Sequence, residues 1–189
     1  MDENLLGNGR VQLRAVEASD YALLRRLELG PDMLHRWRFG GSTPSPESYA
    51  AFVNAGVYSQ YLVLDVRKLS APTLLGLVVA YDVDLVHGWG YLAAAKFQPG
   101  VLAAALFLEG LGMFIELTFR TAPVRKLYLE SPEFNLDSFA SAIGTILFEE
   151  ARIQGHRFYD GRYWDQVILS VSRERWSAFS RRVGPSDLG

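Results

Sequence analysis

Residue types able to do chemistry stand at five places along this chain. Asp82, Asp84 and His87 crowd a short stretch, and Glu130 ends a second apolar run; all four can exchange a proton with a bound molecule. His35-Arg36-Trp37-Arg38-Phe39 is aromatic and basic, able to stack on and pair with an acidic or planar partner. Gln98-Pro99-Gly100-Val101-Leu102-Ala103 opens a long apolar run. If a helix starts there, the unpaired N–H groups of its first turn and the positive end of its dipole can hold a phosphate. Asn135-Leu136-Asp137-Ser138 places an amide and a hydroxyl at the head of another periodic segment. Each also has a purely structural account. Asp82, Asp84 and His87 read as a solvated turn, Glu130 as half of a salt bridge and the aromatic loop as a surface segment anchored by Trp37. Asn135 reads as a helix N-cap, and Ser138 as a small residue on a helix surface.

Composition narrows the setting. A chain of 189 residues is long enough to bury a core and reads as one domain, 1–189. Hydrophobic residues at 49% and charged residues at 21% are a globular balance, and a net charge of −2 without a basic run disfavours nucleic acid as a partner. There are no cysteines, which excludes disulfides, thiolate metal sites and Cys nucleophiles and suits a cytoplasmic setting. The three histidines lack metal-ligand spacing, so no metal is expected. MDENLLGNGR has no apolar core of the kind a secretory leader needs. The run Val101 to Phe119 approaches the length of a membrane span, but it contains Glu109 and Glu116. A carboxylate at mid-membrane costs about 3 kcal/mol, so a buried core helix is the better reading and no membrane is expected.

The elements that must position these groups follow from periodicity. Val11 to Val16 alternates as a strand; Ser19-Asp20 then caps a helix carrying Leu23, Leu24 and Leu27, which Gly30-Pro31 stops. Ser45-Pro46-Glu47 starts a second helix with Tyr49, Phe52 and Val53 on one side. Three β-rich segments come next, Tyr61 to Val66, Thr73 to Val83 and Trp89 to Ala95, followed by the long helix and, beyond Pro123, a strand from Lys126 to Glu130. Leu136, Phe139, Ile143, Ile146 and Leu147 line one face of a further helix. His156 to Tyr159 and Tyr163 to Val171 form a hairpin around Asp160-Gly161, a type I′ turn. Trp164 and Trp176 pack that terminal hairpin against the core. The class is α/β, a mixed central sheet with helices on both faces.

This order, with three of the stretches above, resembles the GNAT superfamily of N-acetyltransferases, in the branch that includes RimJ and RimL. Gln98-Pro99-Gly100-Val101-Leu102-Ala103 stands where the family has Arg or Gln, two residues, Gly, one residue, then Gly or Ala. Asn135-Leu136-Asp137-Ser138 matches an Asn-x-x-Ser that opens the penultimate family helix. Asp160-Gly161-Arg162-Tyr163-Trp164-Asp165 matches a C-terminal hairpin of that branch. The resemblance runs from about Val11 to Trp176.

It implies acyl transfer, acetyl above all, from acetyl-CoA to an amine that attacks the thioester directly. The acceptor would be a small-molecule amine or a protein N-terminus, and a homodimer is allowed. The pyrophosphate would rest on Gln98, Val101, Leu102, Ala103 and Ala104, and the pantetheine arm on Ala93, Ala94 and Ala95 between splayed strands. Asn135 would hydrogen-bond that arm, Ser138 would reprotonate the departing thiolate, and Glu130 would take the amine's proton. Asp82, Asp84 and His87 are further candidates for that role, beside their reading as a solvated turn. Two positions depart from the pattern: Val101 replaces the motif's first Gly, and Ala142 and Ile143 stand where many such enzymes place a Tyr. These departures suit two other readings, a non-catalytic module with a decayed CoA site or an enzyme using a carrier-protein thioester.

Overall fold

A computed structural model describes residues 6–68 and 70–187; the acidic start of the chain, 1–5, lies outside them. The elements run β1 (Val11–Ala15), α1 (Tyr21–Glu28), α2 (Pro46–Asn54), β2 (Val57–Asp65), β3 (Thr73–Asp84), β4 (Trp89–Lys96), α3 (Val101–Thr121), β5 (Lys126–Pro132), β6 (Phe148–Tyr159), β7 (Arg162–Ser172) and α4 (Arg173–Asp187). They build one seven-stranded sheet in the order β1-β2-β3-β4-β5-β7-β6. The β4–β5 pair is parallel, and α3 is the crossover that parallel pairing demands.

Apolar residues at alternate strand positions face α3 on one side of the sheet and α1 with α2 on the other. Phe114 and Leu106 of α3 are buried on Val11, Val63 and Val78. Gly110 allows that close approach, since a Cβ there would sit 2.3 Å from Val63 Cγ1. Both carboxylates of this apolar helix are paired: Glu109 with Asn8 and Arg10, and Glu116 with the indole N–H of Trp176 at 2.6 Å. Trp176 belongs to α4, not to the hairpin. Arg173 starts that helix by donating to the carbonyls of Phe119, Ala122 and Val124 at the negative end of α3.

On the opposite face, Ser45 caps α2 as expected, its Oγ accepting from the Ser48 N–H at 3.3 Å. α1 differs. Asp20 does not cap it; its carboxylate accepts from the Glu17 N–H at 2.8 Å and is held by Arg14, closing a 3₁₀ turn that runs into the helix. The buried side carries Leu24 and Glu28, while Leu23 is exposed. Glu28 is fully buried, accepting from Tyr49 Oη at 2.9 Å and from Arg38 Nη2 at 2.7 Å.

The expected helix after β5 is absent. Residues Glu133–Phe139 form a 3₁₀ helix, and turns follow in which the Ala142 carbonyl accepts from Thr145, Ile146 and Leu147. Leu136, Phe139, Ile146 and Leu147 still pack on the core, so their burial is met without a helix. β6 is longer than the sequence suggested. Its partner β7 fixes it through ladder bonds, although it presents almost only exposed residues.

Asp160 at φ 52° and Gly161 at φ 75° form the two-residue turn between them. A Cβ at Gly161 would meet nothing within 4 Å, so its conformation alone sets the cost of substitution. Gly161→Val should lower stability by about 1 kcal/mol or more, read as a shift in the denaturation midpoint with the slope unchanged.

Candidate active site

β4 and β5 stay paired for three positions, Trp89↔Lys126, Gly90↔Leu127 and Tyr91↔Tyr128, and then part. Beyond that point β4 pairs only with β3, and β5 only with β7. The expected parting near Leu92 and Leu127 therefore begins two residues later on β5, at Leu129. Among the described residues, no ladder bond joins β4 to β5 beyond that point, so their facing backbone edges are open to the gap.

α3 begins beside this gap. Gly100 precedes it at φ 95°, and the first helical bond is from the Ala104 N–H to the Gly100 carbonyl at 3.0 Å. Among the described residues, the N–H groups of Val101, Leu102 and Ala103 have no protein acceptor. The Ala104 N–H, the fourth backbone donor expected there, is already used by the Gly100 carbonyl. The Val101 side chain is 89% exposed, directed away from the core and leaving its N–H open. Gln98 lies in the bend before Gly100.

A cavity of about 460 Å³ fills the gap on the α1–α2 side. Its floor is Leu92, Ala93 and Ala94 of β4 with Leu129 and Glu130 of β5. Ala95 is buried and does not reach it. The loop at His35-Arg36-Trp37-Arg38 forms one wall, while Phe39 turns inward between the helices. Asn135 stands opposite, in mid-3₁₀ turn, and caps no helix; its Oδ1 accepts from Arg36 Nη1 at 3.2 Å. A second cavity of about 390 Å³ lies on the α3 side and shares Leu92 and Leu129 with the first. Ser138 opens onto this second cavity, so the gap separates the two polar residues of the Asn-x-x-Ser stretch.

The candidate bases divide. Asp84 closes a turn, accepting from the Val86 and His87 N–H groups at 2.9 Å each and meeting His87 Nδ1 at 2.8 Å. Those bonds, the backbone one to His87 first, hold its carboxyl below the usual range. Neither Asp84 nor His87 lines the cavity; Asp82 does. It sits in a bulge of β3 with φ 46°, its N–H bonded to the Gly56 carbonyl at 2.8 Å. Glu130 is exposed in the same cavity and forms no ion pair among the described residues.

Several wall residues escaped the sequence reading: Phe52, Tyr81, Arg157, Phe158, Tyr159 and Gln166. Only Tyr159 and Gln166 sat beside a motif, that of the hairpin. Arg157 Nε donates to Gln166 Oε1 at 2.9 Å. Gln166 is 2% exposed and its Nε2 has no acceptor; the buried Trp37 Nε1 has none either. Burial pushes the Tyr81 phenol up to about 12, with Glu130 the next cause, so it remains a neutral hydroxyl throughout the ordinary pH range.

No known protein-family profile matches the sequence, and no curated protein matches it. Solved structures do. A spermidine N-acetyltransferase from Vibrio cholerae, in complex with CoA and spermine, superposes at TM-score 0.71 with 19% identity, over 90% of this chain and 99% of that one. RimL, a ribosomal L7/L12 alpha-N-protein acetyltransferase in complex with CoA, gives 0.68 and 15% over 87% and 95% of the two chains. A probable GNAT-family acetyltransferase from Chromobacterium violaceum gives 0.67 and 17% over 91% and 87%. The fold is that of the GNAT N-acetyltransferases.

Glu130→Gln removes the second cause of the Tyr81 shift. Tyr81 should then titrate lower but still above an ordinary tyrosine, because burial is the larger cause. A ring-carbon NMR titration of Tyr81 measures this.

Proposed function

We propose that this protein is an acyl-CoA-dependent N-acyltransferase whose ordinary donor is acetyl-CoA. The observation that carries the reading is the unpaired β4–β5 gap, open to a cavity on each side, with three free helix N–H groups at its border. In this reading Val101, Leu102 and Ala103 hold the pyrophosphate by their N–H groups, with Gln98 beside them. The pantetheine amides complete the ladder along Ala93 and Ala94, entering from the α3 side. The thioester reaches Leu92 and Leu129, and the acceptor amine arrives from the opposite cavity.

The chemistry balances without a further reactant. The amine nitrogen attacks the thioester carbonyl carbon, the new C–N bond forms and the C–S bond breaks. Glu130, directly or through water, takes the proton the nitrogen loses, with Asp82 the second carboxylate on that wall. The departing thiolate takes a proton from Ser138 on the α3 side; Tyr81, un-ionised, is a hydroxyl on the wall of the opposite cavity. Wedging the amine and thioester into one gap supplies much of the rate, since orientation alone is worth up to about 7–11 kcal/mol.

Calorimetric titration with acetyl-CoA tests the donor site. The parent protein should bind, and Ala103→Glu should weaken binding about ten-fold or more by setting a carboxylate against the phosphates. Val101→Gly should bind as well or better, while losing up to about 1 kcal/mol of stability. No binding by the parent or by Val101→Gly would leave a non-catalytic module of the same fold. Unchanged binding by Ala103→Glu would place the nucleotide elsewhere.

Glu130→Gln tests the base. The kcat should fall by about 100-fold or more. A rate within a few-fold of the parent would assign the proton to another group.

A further inference from the structure

The acceptor cavity carries two unpaired charges of each sign. Arg36, Arg157, Asp82 and Glu130 all line it, and among the described residues none forms an ion pair. The third arginine on the wall, Arg38, is neutralised by buried Glu28. Four exposed charges alone would be an ordinary solvated surface. Gln166 is different: its Nε2 is a buried donor with no acceptor, on a residue 2% exposed that lines this same cavity.

The charges are sorted along the strands. Glu130 pairs in register with Ile168, and two positions further on Pro132 pairs with Gln166. At the rise of a β-strand that is about 7 Å along the gap. Glu130 stands next above the paired part of β4 and β5, with Asp82 in the neighbouring β3 bulge. Gln166 and its partner Arg157 stand at the open end, beside the 3₁₀ turn where Arg36 meets Asn135. The end where the amine must react is thus acidic. The other end offers two guanidinium groups and an amide N–H with nothing to bond.

We propose that the acceptor is an amino-carboxylate, an α-amino acid whose ammonium is received by Glu130 and Asp82 and whose carboxylate is received by Arg36, Arg157 and Gln166. This rests on the transferase reading above and names the substrate class of that site. Guanidinium and amide N–H groups suit the two oxygens of a carboxylate. They oppose a polyamine, which would bring a second cation against two others. Phe52 and Phe158, 48% and 63% exposed on the cavity rim, add an apolar wall, so the side chain of the acceptor is aromatic or otherwise apolar.

The test uses the parent protein with acetyl-CoA and reads released CoA with a thiol reagent, to which a chain without cysteine adds no background. Acceptors are the apolar and aromatic amino acids, their amides, phenethylamine and spermidine. At least one amino acid should be used with kcat/KM ten-fold or more above its own amide and above spermidine. In Arg157→Gln and Arg36→Gln, the KM advantage of acid over amide should shrink towards none, in variants whose melting temperatures show them folded. An amide or spermidine used as well as the acid overturns the assignment, as does a preference that survives both substitutions. Calorimetry separates the two levels of the argument. CoA binding without amino-acid binding or turnover overturns the acceptor class alone. Absence of CoA binding overturns the transferase reading, and selective binding of amino acids over amides to the free protein would still sustain this site.

Discussion

The early end of the β4–β5 ladder governs what else the molecule must do. Three residue pairs hold the two halves of the sheet together, and past Tyr91 and Tyr128 each strand keeps only its outer neighbour. Backbone groups left open inside a protein must find partners, in solvent or in a ligand. Strands in an ordinary sheet edge face outward to water; these face one another across a gap floored by Leu92 and Leu129. The long crossover helix follows from the same arrangement, because parallel neighbours cannot be joined by a tight turn. Its N-terminus must then rise beside the gap, so free N–H donors and an open ladder share one opening.

The apolar, β-rich runs of β3 and β4, and the cap, Pro and spacing of α2, were legible in the chain because each was decided locally, while β2 begins at Val57, four residues before its apolar run suggested. Elements decided by tertiary partners were not legible. The segment 136–147 has helical spacing, yet Gly144 adopts φ 81° and the chain turns back, since Leu136, Phe139, Ile146 and Leu147 reach the core from a turn as well as from a helix. β6 is strand by virtue of β7 alone, and its charged, exposed residues show no alternation. α4 is sparse in apolar residues. It docks through Trp176 on α3 and through Arg173 at the end of α3, contacts invisible in a one-dimensional pattern. For the site, the motif around Val101 and the loop at His35 were readable as chemistry. Tyr81, Arg157 and Gln166 were not, because they come from three strands and no spacing links them.

The loop that walls the cavity on the α1–α2 side owes its place to a buried carboxylate. Glu28 is the one fully buried charge of α1. Tyr49 of α2 and Arg38 of the loop both bond to it. Losing Arg38 would leave an uncompensated buried charge, costing about 3–5 kcal/mol. One ion pair thus fixes α1, α2 and the intervening loop as a unit, and Trp37 and Arg36 are carried with it to the cavity.

The unfavourable features of the structure gather around this same cavity. Buried Trp37 Nε1, Arg38 Nε and Gln166 Nε2 lack acceptors, each at a cost of about 1–3 kcal/mol. Asp82 holds a left-handed backbone at about 1–2 kcal/mol more, and Gly56 must remain side-chain-free because a Cβ there would lie 2.3 Å from the Asp82 carboxylate. A core under selection for stability alone would not collect these in one place, since an apolar side chain at 166 or a regular strand at 82 would be more stable. Local rules fail together where a bound molecule supplies what the folded chain lacks. With the substrate class proposed above, the missing parts are acceptors for N–H donors at one end and a cation at the other, and polarity, rather than size, would be the property by which this cavity selects what enters it.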